Sequence, residues 1–93
     1  MSPPARYELV QTPPAQRAIS SKLPEAVSAA VINFLDTSLL DAPYRVGKQL
    51  GGELSGIWAA RRGTYRVLYR INDSLHEVCV LHIEHRRDAY RPM

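Results

Sequence analysis

Three short strand-like runs crowd the second half of the chain: Ile57–Arg62, Tyr65–Ile71 and His76–Ile83. Only "RGT" (Arg62–Thr64) and "NDSL" (Asn72–Leu75) separate them. Links this short join antiparallel neighbours, because a parallel pair needs a crossover of roughly a dozen residues. The runs therefore predict a three-stranded meander, and whatever precedes it has to cover one of its faces.

The first half supplies that cover. "ARYELVQ" sets Tyr7, Leu9 and Gln11 against Arg6, Glu8 and Val10, the alternation of a strand. "TPP" then opens a helix, with Thr12 as N-cap and Pro13 at the first helical position. Ala15, Ala18, Ile19 and Leu23 follow at helical spacing until Pro24 disfavours helix at Leu23. From Pro24 a second helix carries Ala26, Val27, Ala30, Val31, Phe34 and Leu35 as one apolar stripe. Two helices after one strand read as a helical hairpin. The stretch from Asp36 to Gly56 is rich in breakers and reads as a connector, anchored by Leu50 and Leu54. The predicted fold is α+β: an N-terminal strand, a two-helix hairpin and the meander, with one sheet and its helices on one face. At 93 residues the chain has room for a single domain, 1–93.

Charge narrows the function classes. Residues 1–44 carry three bases (Arg6, Arg17, Lys22) against four acids (Glu8, Glu25, Asp36, Asp41). Residues 45–93 carry nine bases against five acids (Glu53, Asp73, Glu77, Glu84, Asp88). The basic half is either a solvated surface or the half that meets an anion, with nucleic acid as the leading ligand. The lone Cys79 excludes an internal disulfide and a cysteine-built zinc site; between Val78 and Val80 it reads as a small buried apolar residue. His82 and His85 lie three apart on a strand, so they point to opposite faces and make a poor metal pair; neither metal nor cofactor is expected. Without an apolar leader or a membrane-length apolar run, the expected location is the cytoplasm, with no membrane partner.

The second turn converts alternation into geometry. Pairing Ile71 with His76 puts Val67, Tyr69 and Ile71 beside Val78 and Val80 on the helix side. His82 then falls on the core side and His76 is solvated. Arg66, Leu68 and Arg70 face away with Glu77, Cys79, Leu81 and Ile83, and Arg70 sits opposite Glu77 as a cross-strand ion pair. Continued to the strand ends, this outward face gains Arg62 and His85. Such a face suits RNA cleavage. Arginine stays charged and grips phosphate in two places, histidine exchanges protons near neutrality, and a tyrosine stacks on a base or donates a proton. A basic strand end with a soluble tail is the plainer alternative.

"LSGIWAARRGTYRVLYRIND" followed by "VCVLHIEHRRDAYR" resembles the RelE/ParE superfamily of bacterial toxin–antitoxin toxins, and more narrowly its RelE-like branch. The resemblance implies a RelE-like domain over 1–93. It also implies an endoribonuclease (mRNA interferase) that cleaves mRNA in the ribosomal A site by attack of a 2′-hydroxyl on its neighbouring phosphate. The implied partners are a RelB-like cognate antitoxin, the ribosome and mRNA, with operator DNA met only through the antitoxin complex. Carried over by position, the catalytic set is Arg66, Arg86, His85 and Tyr90. Arg66 and Arg86 hold the phosphate, and the general base is either His85 or Tyr90. Lys48, Arg61, Arg62 and Arg87 are the expected contacts to RNA or ribosome, although Arg87 beside Asp88 also reads as a local charge pair.

The resemblance departs from the RelE pattern where two lysines precede the tyrosine-arginine strand, since this chain has Ile57 and Ala59 there. The alternative within the superfamily is a ParE-like toxin that poisons gyrase by protein contact, without nuclease activity. A further alternative is a toxin homologue that has lost catalysis and serves as an interaction partner. The cluster Arg61, Arg62 and Arg66 favours the nuclease, because a gyrase binder has no need of it.

Overall fold

The computed structural model describes residues 6–85. Strand β1 (Glu8–Gln11) leads into helix α1 (Pro13–Arg17), which widens into a π-helical turn over Ala18–Lys22. Helix α2 (Glu25–Phe34) widens in the same way over Leu35–Leu39. A short helix α3 (Pro43–Val46), strand β2 (Lys48–Gln49) and a 3₁₀ turn (Gly52–Leu54) precede the meander of β3 (Trp58–Arg62), β4 (Tyr65–Asn72) and β5 (Glu77–His85). The five strands make one mixed sheet in the order β1-β5-β4-β3-β2, with β1 parallel to β5 and the other pairs antiparallel. Both edge strands are short, which limits unwanted pairing with another chain.

The helices form where the apolar stripes require them. Thr12 caps α1 by accepting the Ala15 N–H at 3.4 Å, and Leu23 is extended ahead of Pro24. In α2 the expected stripe is buried through Val31, Phe34 and Leu35, whereas Ala26 and Ala30 are exposed. Helical structure continues past Asp36, where the sequence reads as connector. The wider π turn carries Leu39 into the core behind Leu35, and both are 0–1% exposed. Burying a side chain of that size contributes roughly 1.5–3 kcal/mol, enough to extend the helix through Asp36 and Thr37. Ala15, Ala18, Val31, Phe34, Leu35 and Leu39 meet Ala60, Tyr65, Val67, Tyr69, Val78, Val80 and Ile83 from the sheet.

Within the connector, backbone bonding replaces the expected side-chain anchors. Leu50 is half-buried but Leu54 is exposed, and the loop is closed by Leu50 N–H donating to Ile57 O at 2.8 Å and Ile57 N–H to Leu54 O at 3.0 Å. Gly47 is required for a steric reason: a Cβ there would collide with the Tyr69 hydroxyl and stand 2.9 Å from Ala59 O. That hydroxyl donates to Pro43 O at 2.6 Å, which joins α3 to the central strand.

The β4–β5 register departs from the sequence expectation twice. Asn72 pairs with Glu77, so the loop is four residues long, Asp73 to His76, rather than two. Asn72 Oδ1 accepts the Leu75 N–H at 3.0 Å, and His76 takes a left-handed conformation (φ 56) to close the turn. This two-residue offset leaves the faces near the turn as expected, with Val67, Tyr69, Val78 and Val80 buried. Further along, Tyr69 pairs with Val80 but Leu68 pairs with His82, so Leu81 is the extra residue of a β-bulge. Beyond the bulge every side chain of β5 changes face. Ile83 enters the core and His82 is exposed on the opposite side, the reverse of the expectation.

Candidate functional site

The side of the sheet away from the helices is built in rows of directly paired residues. One row runs Arg61 (β3), Arg66 (β4) and Glu84 (β5). The next runs Lys48 (β2), Ala59, Leu68 and His82. A third sets Arg70 beside Cys79 and Val10. Three strands thus present Lys48, Arg61, Arg66 and Arg70 around a low floor of Ala59 and Leu68. Cys79 stands on this face, as its outward register position predicts, and is half-buried rather than buried, because the alternation of β5 assigns Val78 and Val80 to the helices.

Arg66 is the most constrained of these bases. Its Nε donates to Glu84 Oε1 at 2.8 Å, and its Nη2 donates to the same oxygen. The two side chains are 37% and 30% exposed, so the pair contributes of order 0.2–1 kcal/mol. The cross-strand pair expected between Arg70 and Glu77 does not form, because Arg70 stands opposite Cys79; Glu84 makes the equivalent contact with Arg66 instead. Arg61 is exposed directly across from Arg66, a like-charge juxtaposition that attracts an anion.

Two expected members of this face are elsewhere. The β3–β4 turn has two residues, Gly63 and Thr64, with Gly63 at φ 54 as a primed hairpin turn requires. Arg62 is therefore opposite Tyr65 on the helix side, its guanidinium 4.9 Å from the Phe34 ring centroid. His85 is likewise paired with Tyr65, since the bulge turns it toward the helices. His82 takes the open-face position that the sequence suggested for His85. A signal for this exists in the chain: the apolar spacing Val78, Val80, Ile83 jumps by three where strict alternation demands two. Arg86, Arg87 and Tyr90 lie outside the described residues. His82 and His85 do lie on opposite faces, as strand alternation requires.

A cluster of groups with shifted proton affinities lies at the other end of the β4–β5 hairpin. Asp73 accepts hydrogen bonds from Tyr44 and, at 2.5 Å, from Tyr7, and these hold its carboxyl below the usual carboxylate range. The bond to Asp73 in turn pushes Tyr7 up to about 12 and raises Tyr44. Tyr7 also stacks on His76 at 3.9 Å between centroids, and Tyr44 meets Trp58 edge-on. This cluster ties the start of β1 and α3 to the hairpin loop, at the opposite end of β4 from the row of Arg61, Arg66 and Glu84.

A family model for the ParE toxin of the type II toxin–antitoxin system parDE matches residues 6–90. The chain belongs to the ParE toxin family. Toxins of the RelE/ParE superfamily are its relatives by sequence and by fold. It is 51% identical over 70 residues to Toxin RelG of Mycobacterium tuberculosis, covering 75% of this chain and 80% of that protein. It is 42% identical over 91 residues to Toxin RelE of the same organism, covering 98% and 93%. The toxin–antitoxin complex RelBE2 of M. tuberculosis contains a chain with a TM-score of 0.85 and 45% identity, over 88% of this chain and 100% of that one. A ParE-family toxin with these relatives is a type II toxin with a RelE-like fold. No helix among its described residues is long and apolar enough to cross a membrane.

Proposed function

We propose that this toxin is a ribosome-dependent mRNA endoribonuclease, bound and silenced by a RelB-like antitoxin. The observation that carries the reading is the directly paired row Arg61, Arg66 and Glu84 on the helix-free face, with Lys48 one row away. Strand residues hold such charges more rigidly than loop residues do, which is what electrostatic stabilisation of a developing phosphorane demands. In the proposed reaction a base removes the 2′-hydroxyl proton and the 2′-oxygen bonds to phosphorus. The bond from phosphorus to the 5′-oxygen breaks, and an acid returns a proton to that oxygen. Arg66 and Arg86 hold the phosphate through the charged intermediate. Lys48, Arg61 and Arg87 contact the flanking RNA or ribosome.

Tyr90 is kept as a candidate for the proton transfers, and His82, on the arginine face, replaces His85, which the bulge turns toward the helices. Arg62 is better assigned to packing on Phe34 than to RNA. The fit of the family model for ParE toxins favours a second reading, gyrase poisoning by protein contact. The arginine row and the relatives named RelE and RelG weigh toward the nuclease.

The deciding experiment adds the purified toxin to translating ribosomes and maps new mRNA 5′ ends. Cleavage within the A-site codon is expected, and Arg66→Ala with Arg86→Ala abolishes both cleavage and growth arrest while antitoxin binding persists. Intact message together with gyrase-linked DNA breaks in cells would instead establish the second reading.

A further inference from the structure

We propose that Glu84 is a built-in competitor for the anion at Arg66, a positioning residue that holds the guanidinium in the free toxin and yields it to an RNA phosphate. The inference rests on the nuclease reading for its ligand, single-stranded RNA. Its basis is the contact itself: Arg66 Nε donates to Glu84 Oε1 at 2.8 Å, and Nη2 converges on the same oxygen. One edge of the guanidinium is therefore occupied by a carboxylate in the geometry that a phosphate oxygen would use.

Two features make this pair exchangeable rather than purely structural. The side chains are 37% and 30% exposed, so water and ligand reach them and the pair is screened. On the opposite strand Arg61 stands directly across from Arg66, where like charges repel. In the free toxin Glu84 offsets that repulsion. In a complex the phosphate offsets it for both arginines, and a carboxylate left in contact would repel the phosphate. Among the described residues, the other acids on the strands of this face, Glu8 and Glu77, stand opposite each other beside Asn72, at the far end of β4 from Arg66. Glu84 thus sets how readily Arg66 accepts an anion and keeps the guanidinium extended across β5 until one arrives.

The test uses full-length toxin and a short single-stranded RNA bearing 2′-O-methyl riboses, which cannot undergo 2′-hydroxyl attack. Binding is followed by fluorescence anisotropy across a salt series. Glu84→Gln keeps size and hydrogen bonding but removes the charge. It is expected to tighten binding about 3- to 10-fold and to steepen the log–log salt slope by about 0.7. Glu84→Ala tightens binding as well, whereas Glu84→Asp retains competition. Adding Arg66→Ala to Glu84→Gln erases the gain. Unchanged or weaker binding by folded Glu84→Gln and Glu84→Ala, with Arg66→Ala weakening binding, overturns the competitor role alone. If Arg66→Ala also leaves RNA binding unchanged, the open-face RNA site fails and the inference falls with it.

Discussion

Arg61 and Arg62 are adjacent in the chain and point to opposite sides of β3, one toward Arg66 and the other toward Phe34. Substitution should separate their roles. Arg62→Ala removes a cation–π contact and is expected to cost roughly 0.5–1 kcal/mol in urea unfolding, with RNA affinity retained. Arg61→Ala should leave unfolding within about 0.5 kcal/mol and weaken RNA binding, with a shallower salt dependence. If both variants lose RNA affinity equally, the face assignment is wrong. At this scale Arg66 was legible from the residues, because a strand arginine among apolar neighbours has to face away from a buried Val67 and Tyr69. The placement of Arg62 and His85 was not legible by counting alternate residues. It depends on a two-residue turn at one strand end and a bulge at the other, each of which changes the count by one.

Thr12 links two elements with one side chain. Its hydroxyl accepts the Ala15 N–H at the start of α1 and donates to Leu81 O at 2.7 Å, while its backbone N–H donates to Val80 O at 3.0 Å. The helix start therefore holds the bulge that sends His82 and Ile83 to their respective faces. Thr12→Val keeps the shape and removes the hydroxyl, and is expected to destabilise by about 1–2 kcal/mol. Amide exchange in β5 should quicken around Leu81 in that variant. Unchanged stability and exchange would show that the bulge is held by β4 pairing alone. The cap and the proline break after Leu23 were readable in the chain, as was the apolar stripe of α2. The continuation through Leu39 was not, because "DTS" reads as a breaker until the burial of Leu35 and Leu39 on the sheet outweighs local preference.

For the molecule as a whole, alkaline stability reports how the tyrosines join the layers. Tyr69 is pushed up to about 12 by burial, and Tyr7 to about 12 chiefly by its bond to Asp73. Both values lie above the ordinary 10.0, so the folded state retains protons that the unfolded chain releases. The stability they contribute is complete below pH 10 and is lost as the pH rises through about 12. Unfolding midpoints should fall across that window in step with phenolate absorbance, and Tyr7→Phe should flatten the slope. A slope unchanged by Tyr7→Phe would remove Tyr7 from the account. Asp73 acts in the opposite direction: its carboxyl is depressed, so its contribution persists above the usual carboxylate range and disappears only as acid protonates it. The amino-acid order by itself determined the α+β class, the helical hairpin, the meander and a basic second half, because these follow from periodicity, capping and the shortness of two turns. Only the tertiary structure decided which bases share a face. That choice rests on strand register, and register was set by the left-handed His76, the primed turn at Gly63 and a bulge clamped from another element by Thr12. The local turn at Gly63 sets Arg61 opposite Arg66, and the bulge held by Thr12, a residue distant in the chain, brings Glu84 into the same row.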